Sequence, residues 1–300
     1  MYKTDAWKIE APKKGLRAYQ ERDVFFLKGS SVKRNHELEA HIQETWKIEL
    51  ERNPKITNGP LLRLNKILES GREDLLDLSI SLTDYQEYKA TCIAEHKRRF
   101  ELKQGRTLRD EEKAHTFASA VLPVTLDDKV VFLERSYSVD LFKGFLNLPS
   151  GGVWDGDPKE TIKKLLGYSS DGLFDVCRAI VEREFRKKES NIKLKAENPR
   201  LYGIVETLEH EGSIAFDDHV LEFSIGLDED IDTLQRKKDK IAVGKYGNLV
   251  VVAFKEAEFA DFLNANLDRI PESIQPVAVI AGAHKFGEDW PLSIKGVRKI

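Results

Sequence analysis

Cysteine and methionine are nearly missing from this chain: it has two of the first, Cys92 and Cys177, and one of the second. Two cysteines without metal-type spacing exclude a disulfide framework and a Cys-based zinc site, and are expected as buried, reduced thiols. Long apolar runs are missing too. Nothing approaches the roughly 18 residues that mark a bilayer-spanning helix. The opening MYKTDAWKIEAPKKG lacks the apolar centre of a secretory signal. Nor does one charge dominate. The 48 Lys and Arg against 51 Asp and Glu leave a formal net charge of -3, so no overall basic field favours nucleic acid or an anionic membrane. These absences predict a cytoplasmic chain with no membrane and no clear nucleic-acid partner, and leave its oligomeric state open. What is present is globular: 300 residues, 41% hydrophobic, enough for one large domain or two modest ones.

DVFFLKG predicts a strand. In NHELEAHIQETWKIELERNP, Leu38, Ile42, Trp46 and Leu50 recur at four-residue steps between a candidate cap, Asn35, and Pro54, predicting an amphipathic helix. GPLLRLNKIL and EDLLDLSISLT predict a hairpin whose second strand alternates Leu76, Leu78, Ile80 and Leu82 with Asp77, Ser79 and Ser81. TDYQEYKATCIAEHKRRF predicts one helix capped by its threonine. These elements form a first α/β unit, residues 1–105, followed by a polar connector.

The second unit, residues 106–300, opens on two strands around the turn Asp127-Asp128. After GFLNLPSGGVWDGD and a polar insert comes a helix over about 171–188. Three more strand-like runs and two helix-like runs complete it, and the order fits a mixed sheet flanked by helices. The basic run RKKDK, residues 236–240, predicts a solvated loop. In HVLEFSIGL, Leu221, Phe223 and Ile225 make the apolar face, which leaves Glu222 facing solvent. His284 is expected as a partly buried polar residue.

On a helical wheel over 171–188, Leu173, Phe174, Cys177, Ile180, Val181 and Phe185 share one face, with Asp175, Glu182 and Arg186 opposite. Glu184 falls in line with Cys177, on the apolar side. A carboxylate there is paired, protonated or bound to a cation, because an unpaired buried charge is costly. Lys188, one turn on, is the simple partner. A divalent cation is the other. Upstream, Gly151-Gly152 allow a sharp turn or close backbone approach, and Asp155 and Asp157 follow them. Loop and helix acids together suit Mg²⁺, which takes oxygen ligands and can help water attack phosphorus.

FLNLPSGGVWDGD together with AIVEREF resembles the Nudix hydrolase box: a glycine loop, an acid, then Arg-Glu-apolar and a pair of acids. Gly151 and Gly152 match the glycines, and Arg183-Glu184-Phe185 match Arg-Glu-apolar. The box is degenerate. An insert separates its halves, Lys187-Lys188 stand where the acid pair belongs, and Ser190 stands for the last glycine. The layout over roughly 40–285 is similar to the divergent animal type that cleaves UDP-glucose and UDP-galactose, on ETWKIELERNP, LSISLTDYQEYKAT, DDKVVFLERSYSV, GFLNLPSGG and KESNI. The resemblance implies a mixed sheet sandwiched by helices, preceded by a smaller α/β unit. It further implies hydrolysis of a nucleoside diphosphate-linked compound such as a UDP-sugar to UMP and sugar 1-phosphate, with Mg²⁺ or Mn²⁺. Arg183 and Glu184 would be catalytic, Glu184, Glu189 and Asp157 would hold the metal, and Gly151, Gly152, Arg135, Tyr137 and Trp154 would contact substrate. Glu184 and Glu189 are about 140° apart on a regular helix, so sharing an ion needs a bulge or an early end between them. An inactive Nudix-fold module that binds a nucleotide or a protein is the alternative.

Overall fold

The computed structural model describes residues 2–12, 16–68, 75–137, 143–152, 171–185, 196–208, 219–241 and 246–299. The first elements are β1 (Tyr2–Lys3), β2 (Trp7–Ala11), β3 (Val24–Lys28), α1 (His36–Arg52), β4 (Pro60–Leu68), β5 (Leu76–Asp84), α2 (Tyr85–Cys92) and α3 (Ala94–Gln104). Then follow β6 (Phe117–Val124), β7 (Lys129–Arg135), β8 (Leu146–Asn147), β9 (Ser150–Gly152), α4 (Asp171–Phe185), β10 (Ala196–Thr207) and β11 (His219–Leu227). The chain closes with α5 (Ile231–Ile241), β12 (Tyr246–Ala253), α6 (Glu256–Asn266), α7 (Gln275–Phe286) and β13 (Arg298–Lys299). The architecture is mixed α/β.

The described strands make two sheets. The larger runs β12-β7-β6-β11-β10-β2-β1-β13, with β8 on β7 and β9 on β6; the smaller runs β3-β5-β4. In the larger sheet β6 and β11 are parallel, and the other pairs are antiparallel. The strands β1 and β2, within the residues first assigned to the N-terminal unit, hydrogen-bond into this larger sheet. LSIKGVRKI, uninformative as sequence, supplies the strand that pairs Tyr2 with Lys299.

Leu221, Phe223 and Ile225 bury one face of β11 with Leu173, Phe174, Cys177, Ile180 and Val181 of α4, and Leu62, Leu78 and Ile80 of the small sheet join the same core. On the other face, Ala120, Leu122 and Val220 pack against α6 and α7. Both faces of β11 are therefore covered, and Glu222 is 0% exposed rather than solvent-facing. Helices α1 to α3 form a third cluster around Leu38, Ile42 and Phe100. Cys92 and Cys177 are buried free thiols, and burial pushes the Cys177 thiol well up. Among the described residues no helix is long and apolar enough to cross a membrane.

Local features depart from expectation for identifiable reasons. The buried row of α1 is Leu38, His41, Ile42, Thr45 and Glu49, while Trp46 is half-buried and Leu50 exposed. Glu49 tolerates burial because Lys89 and His96 bind its carboxylate at 2.8 and 3.1 Å. In β5 the alternation changes phase after Ile80: Ser81 and Thr83 are buried and Leu82 is only partly so. The cap of the following helix is Asp84, accepting the Glu87 N–H at 2.8 Å, not Thr83. That segment is two helices, parted where Ile93 is extended at φ -81°, ψ 125°. RKKDK is no loop. It lies in α5, started by Asp230 accepting the Thr233 N–H at 2.8 Å, because a capped start lets a charge run continue a helix as readily as a loop.

The polar connector holds a buried acid. Glu112, 0% exposed, accepts from Arg106 at 2.8 and 3.1 Å and from the side chain and backbone of Arg109, both at 2.9 Å. Arg109 first, with Arg106, outweighs burial and holds the carboxyl at about 2. The unfolded chain gains its proton near 4.5, so this stabilisation is complete above that pH and is lost as pH falls toward 2. Glu112→Gln is expected to cost about 2 kcal/mol at pH 7, and less at each step below pH 4.5, in urea unfolding followed across pH.

Candidate functional site

Strands β6 and β7 share one register pair, Val124 with Val130, and then splay apart. The segment 146–152 fills the split: Leu133 and Glu134 pair with β8, while Ser119 and Ala118 pair with Gly151 and Gly152. The Val121 N–H donates to the Pro149 carbonyl at 2.9 Å. The split thus delivers Gly151, Gly152 and Arg135 to one end of the sheet. Helix α4 packs on β6, β9 and β10, driven by the apolar face that the wheel identifies, with Val176 added to it. Asp175 points outward and accepts from Arg178 at 2.5 Å. Arg183 and Glu184 lie in the last turn of α4; their side chains fall outside the description, as do residues Trp154, Asp157 and Glu189. The backbone between Phe185 and Glu189, which decides whether two acids can share an ion, falls outside it as well.

Arg135 is half-buried, and its N–H donates to the Phe145 carbonyl at 2.8 Å. Tyr137 is 76% exposed, and its hydroxyl lies over Gly144. Gly144 sits at φ 70°, where a side chain strains the backbone, and a Cβ would fall 2.7 Å from that hydroxyl, so Tyr137 would have to move aside.

A cleft of about 820 Å³ opens between the two sheets, and local sequence reasoning missed it. One wall is β2 and β10. Register sets Lys8 directly opposite Glu206, and the pleat puts Glu10 on the same face as Lys8. The Lys8 ammonium bridges both carboxylates, at 2.8 Å to Glu10 and 2.7 Å to Glu206. Burial foremost, with the Glu10 charge behind it, raises Glu206. Burial opposes ionisation of Glu10 as well, but hydrogen bonds from Lys8 and Glu206 outweigh it and hold Glu10 low. One acid of the pair thus favours its proton and the other its charge.

The opposite wall is the turn after β3, the strand β4 and the segment before β6, with Ser30, Ser31, Lys33, Lys66 and Lys113. Its scaffold is Arg63, 3% exposed. The guanidinium donates to three carbonyls in two segments: Ser30 at 2.8 Å, and Lys113 and Asp110 at 2.8 and 3.1 Å. The Ser30 carbonyl also accepts from Asn65 at 2.5 Å and Ser81 at 2.8 Å. His115 and His219, 5.8 Å apart edge to face, join the two walls.

No protein-family model matches the sequence, and no curated protein does. Among solved structures, similarity extends to a bifunctional NMN adenylyltransferase/ADP ribose pyrophosphatase from Francisella tularensis, crystallised with AMP and a Mn ion. The identity is 11% and the TM-score 0.31, over 64% of this chain and 46% of that one. The aligned part is thus less than half of that protein, and a likeness at this level transfers neither fold family nor activity to the chain.

Proposed function

We propose that the chain is a Mg²⁺-dependent hydrolase of the Nudix type, cleaving the pyrophosphate of a nucleoside diphosphate-linked compound, a UDP-sugar, to UMP and sugar 1-phosphate. One observation supports it above the others. The strand bearing Gly151-Gly152 packs against the helix that carries Arg183-Glu184, so the elements bearing the two halves of the motif, parted by an insert in sequence, touch in the fold. A glycine strand beside a helix that ends on an acid is an arrangement that can hold a phosphate near a cation. Among the described residues no group of three His, Cys, Asp or Glu could hold a metal ion. The ion would draw on Glu184, Asp157 and Glu189, as the resemblance implies. The lysines Lys187 and Lys188 favour a second reading, a module that binds nucleotide without turnover.

The test is release of UMP from UDP-glucose with Mg²⁺. Glu184→Gln is expected to slow it by about 100-fold or more, the order lost when one group stabilising transition-state charge is removed. Absence of turnover across a panel of nucleoside diphosphate compounds would sink the hydrolase. Nucleotide binding indifferent to EDTA would then establish the module.

A further inference from the structure

The cleft between the sheets has two unlike walls, and each rules out a class of ligand. The Lys8 ammonium is already taken up by Glu10 and Glu206, so that wall offers no free cation to a nucleic-acid backbone laid along the cleft. Across from it, Lys33 and Lys66 are exposed and line the opposite wall, which presents their ammoniums to an anion. A bare phosphate would use that wall alone. The acidic wall wants hydroxyl groups: beyond the Lys8 bonds, the remaining lone pairs of the two carboxyls accept O–H bonds. A diol presents two such donors. The volume, about 820 Å³, lies within the range of small-molecule sites, roughly 300–1,000 Å³. The polar lining suits a ligand with few apolar atoms.

We propose that this cleft binds a phosphorylated sugar, the phosphate on Lys33 and Lys66 and the sugar hydroxyls on Glu10 and Glu206. This goes beyond the hydrolase reading and stands without it. The cleft is built from the N-terminal segments and from β10 and β11, and it uses no residue of the glycine loop or of α4. The N-terminal elements thereby gain a role as one wall of a recognition site.

Calorimetric titration of the full chain with glucose 1-phosphate tests this, with glucose and inorganic phosphate as separate probes. Glucose 1-phosphate is expected to bind at least tenfold more tightly than either part. The double variant Lys33→Ala/Lys66→Ala changes only exposed side chains and is expected to weaken binding at least tenfold and flatten its salt dependence. Glu206→Ala is expected to weaken glucose 1-phosphate while leaving phosphate unaffected. Glu184→Gln is expected to change none of these values, so a dead hydrolase with an intact cleft remains recognisable. No binding at millimolar ligand overturns the proposal, and so does an affinity equal in the double-lysine variant and the parent. Binding lost in Glu184→Gln but kept in the lysine variant would move the ligand to the glycine loop and overturn it as well.

Discussion

Arg63→Ala is expected to remove about 3–5 kcal/mol of stability, because it deletes three hydrogen bonds from one buried, charged donor, each worth about 1.5–3 kcal/mol. Of the three acceptors, the Ser30 carbonyl keeps Asn65 and Ser81 as donors and the Asp110 carbonyl keeps the Lys113 N–H, which holds the loss below the full sum. Arg63→Lys is expected to recover little. One ammonium is a compact point charge, whereas the guanidinium is a rigid fork reaching three directions. Native domains hold only about 5–15 kcal/mol in all, so urea unfolding should show a large drop in midpoint for both variants. A lysine variant as stable as the parent would mean that the three carbonyls find other donors, and the scaffolding role would fall.

Glu222→Met is expected to act in the opposite direction, raising stability by about 1–3 kcal/mol at pH 8. Both carboxyl oxygens of Glu222 are buried and accept no hydrogen bond among the described residues. Desolvation alone raises its pKa well above the ordinary 4.5. The sign follows from linkage. Below pH 4.5 the acid is protonated in both states and carries no penalty. Above it the unfolded chain releases the proton while the folded chain retains it, so stability falls with rising pH until the folded pKa is passed. Other groups under α7 also titrate. His284 stacks on Tyr202 at 4.3 Å, and burial holds it down to about 4. Its contribution therefore rises with pH between about 4 and 6.5, against that of Glu222. The difference between variant and parent cancels His284. That difference, measured by urea unfolding at intervals from pH 4 to 9, should grow with pH. A flat difference would show that Glu222 does not titrate as a buried acid.

Much of the fold was legible wherever one face of an element meets one kind of neighbour. Leu76, Leu78 and Ile80 announced a half-buried strand, and the apolar wheel of α4 announced its buried face. Legibility failed where the covering partner is remote. Alternation in HVLEFSIGL separates two faces but cannot say that α7 covers the second, so Glu222 looked exposed. On α1 the four-residue steps pointed to Trp46 and Leu50. The buried row instead takes Thr45 and Glu49, because Lys89 and His96, some forty residues on, satisfy that acid. The cleft was hidden for the same reason. Lys8 meets Glu206 only through the pairing of β2 with β10, and no local pattern ties residue 8 to residue 206. The glycine loop and the Arg-Glu pair were visible because their chemistry is written in adjacent residues.

Arg63, Asn65 and Ser81 all converge on the carbonyl of Ser30. That acceptor belongs to the main chain, so it is present whatever side chain position 30 carries. Mutational tolerance around the cleft is therefore lopsided. Position 30 can change its residue and keep the junction, while positions 63, 65 and 81 cannot. An alanine scan would report a silent site at the very atom on which three neighbours depend, and replacing the amide that follows residue 30 with an ester, which weakens that carbonyl as an acceptor, is the substitution that would reveal it.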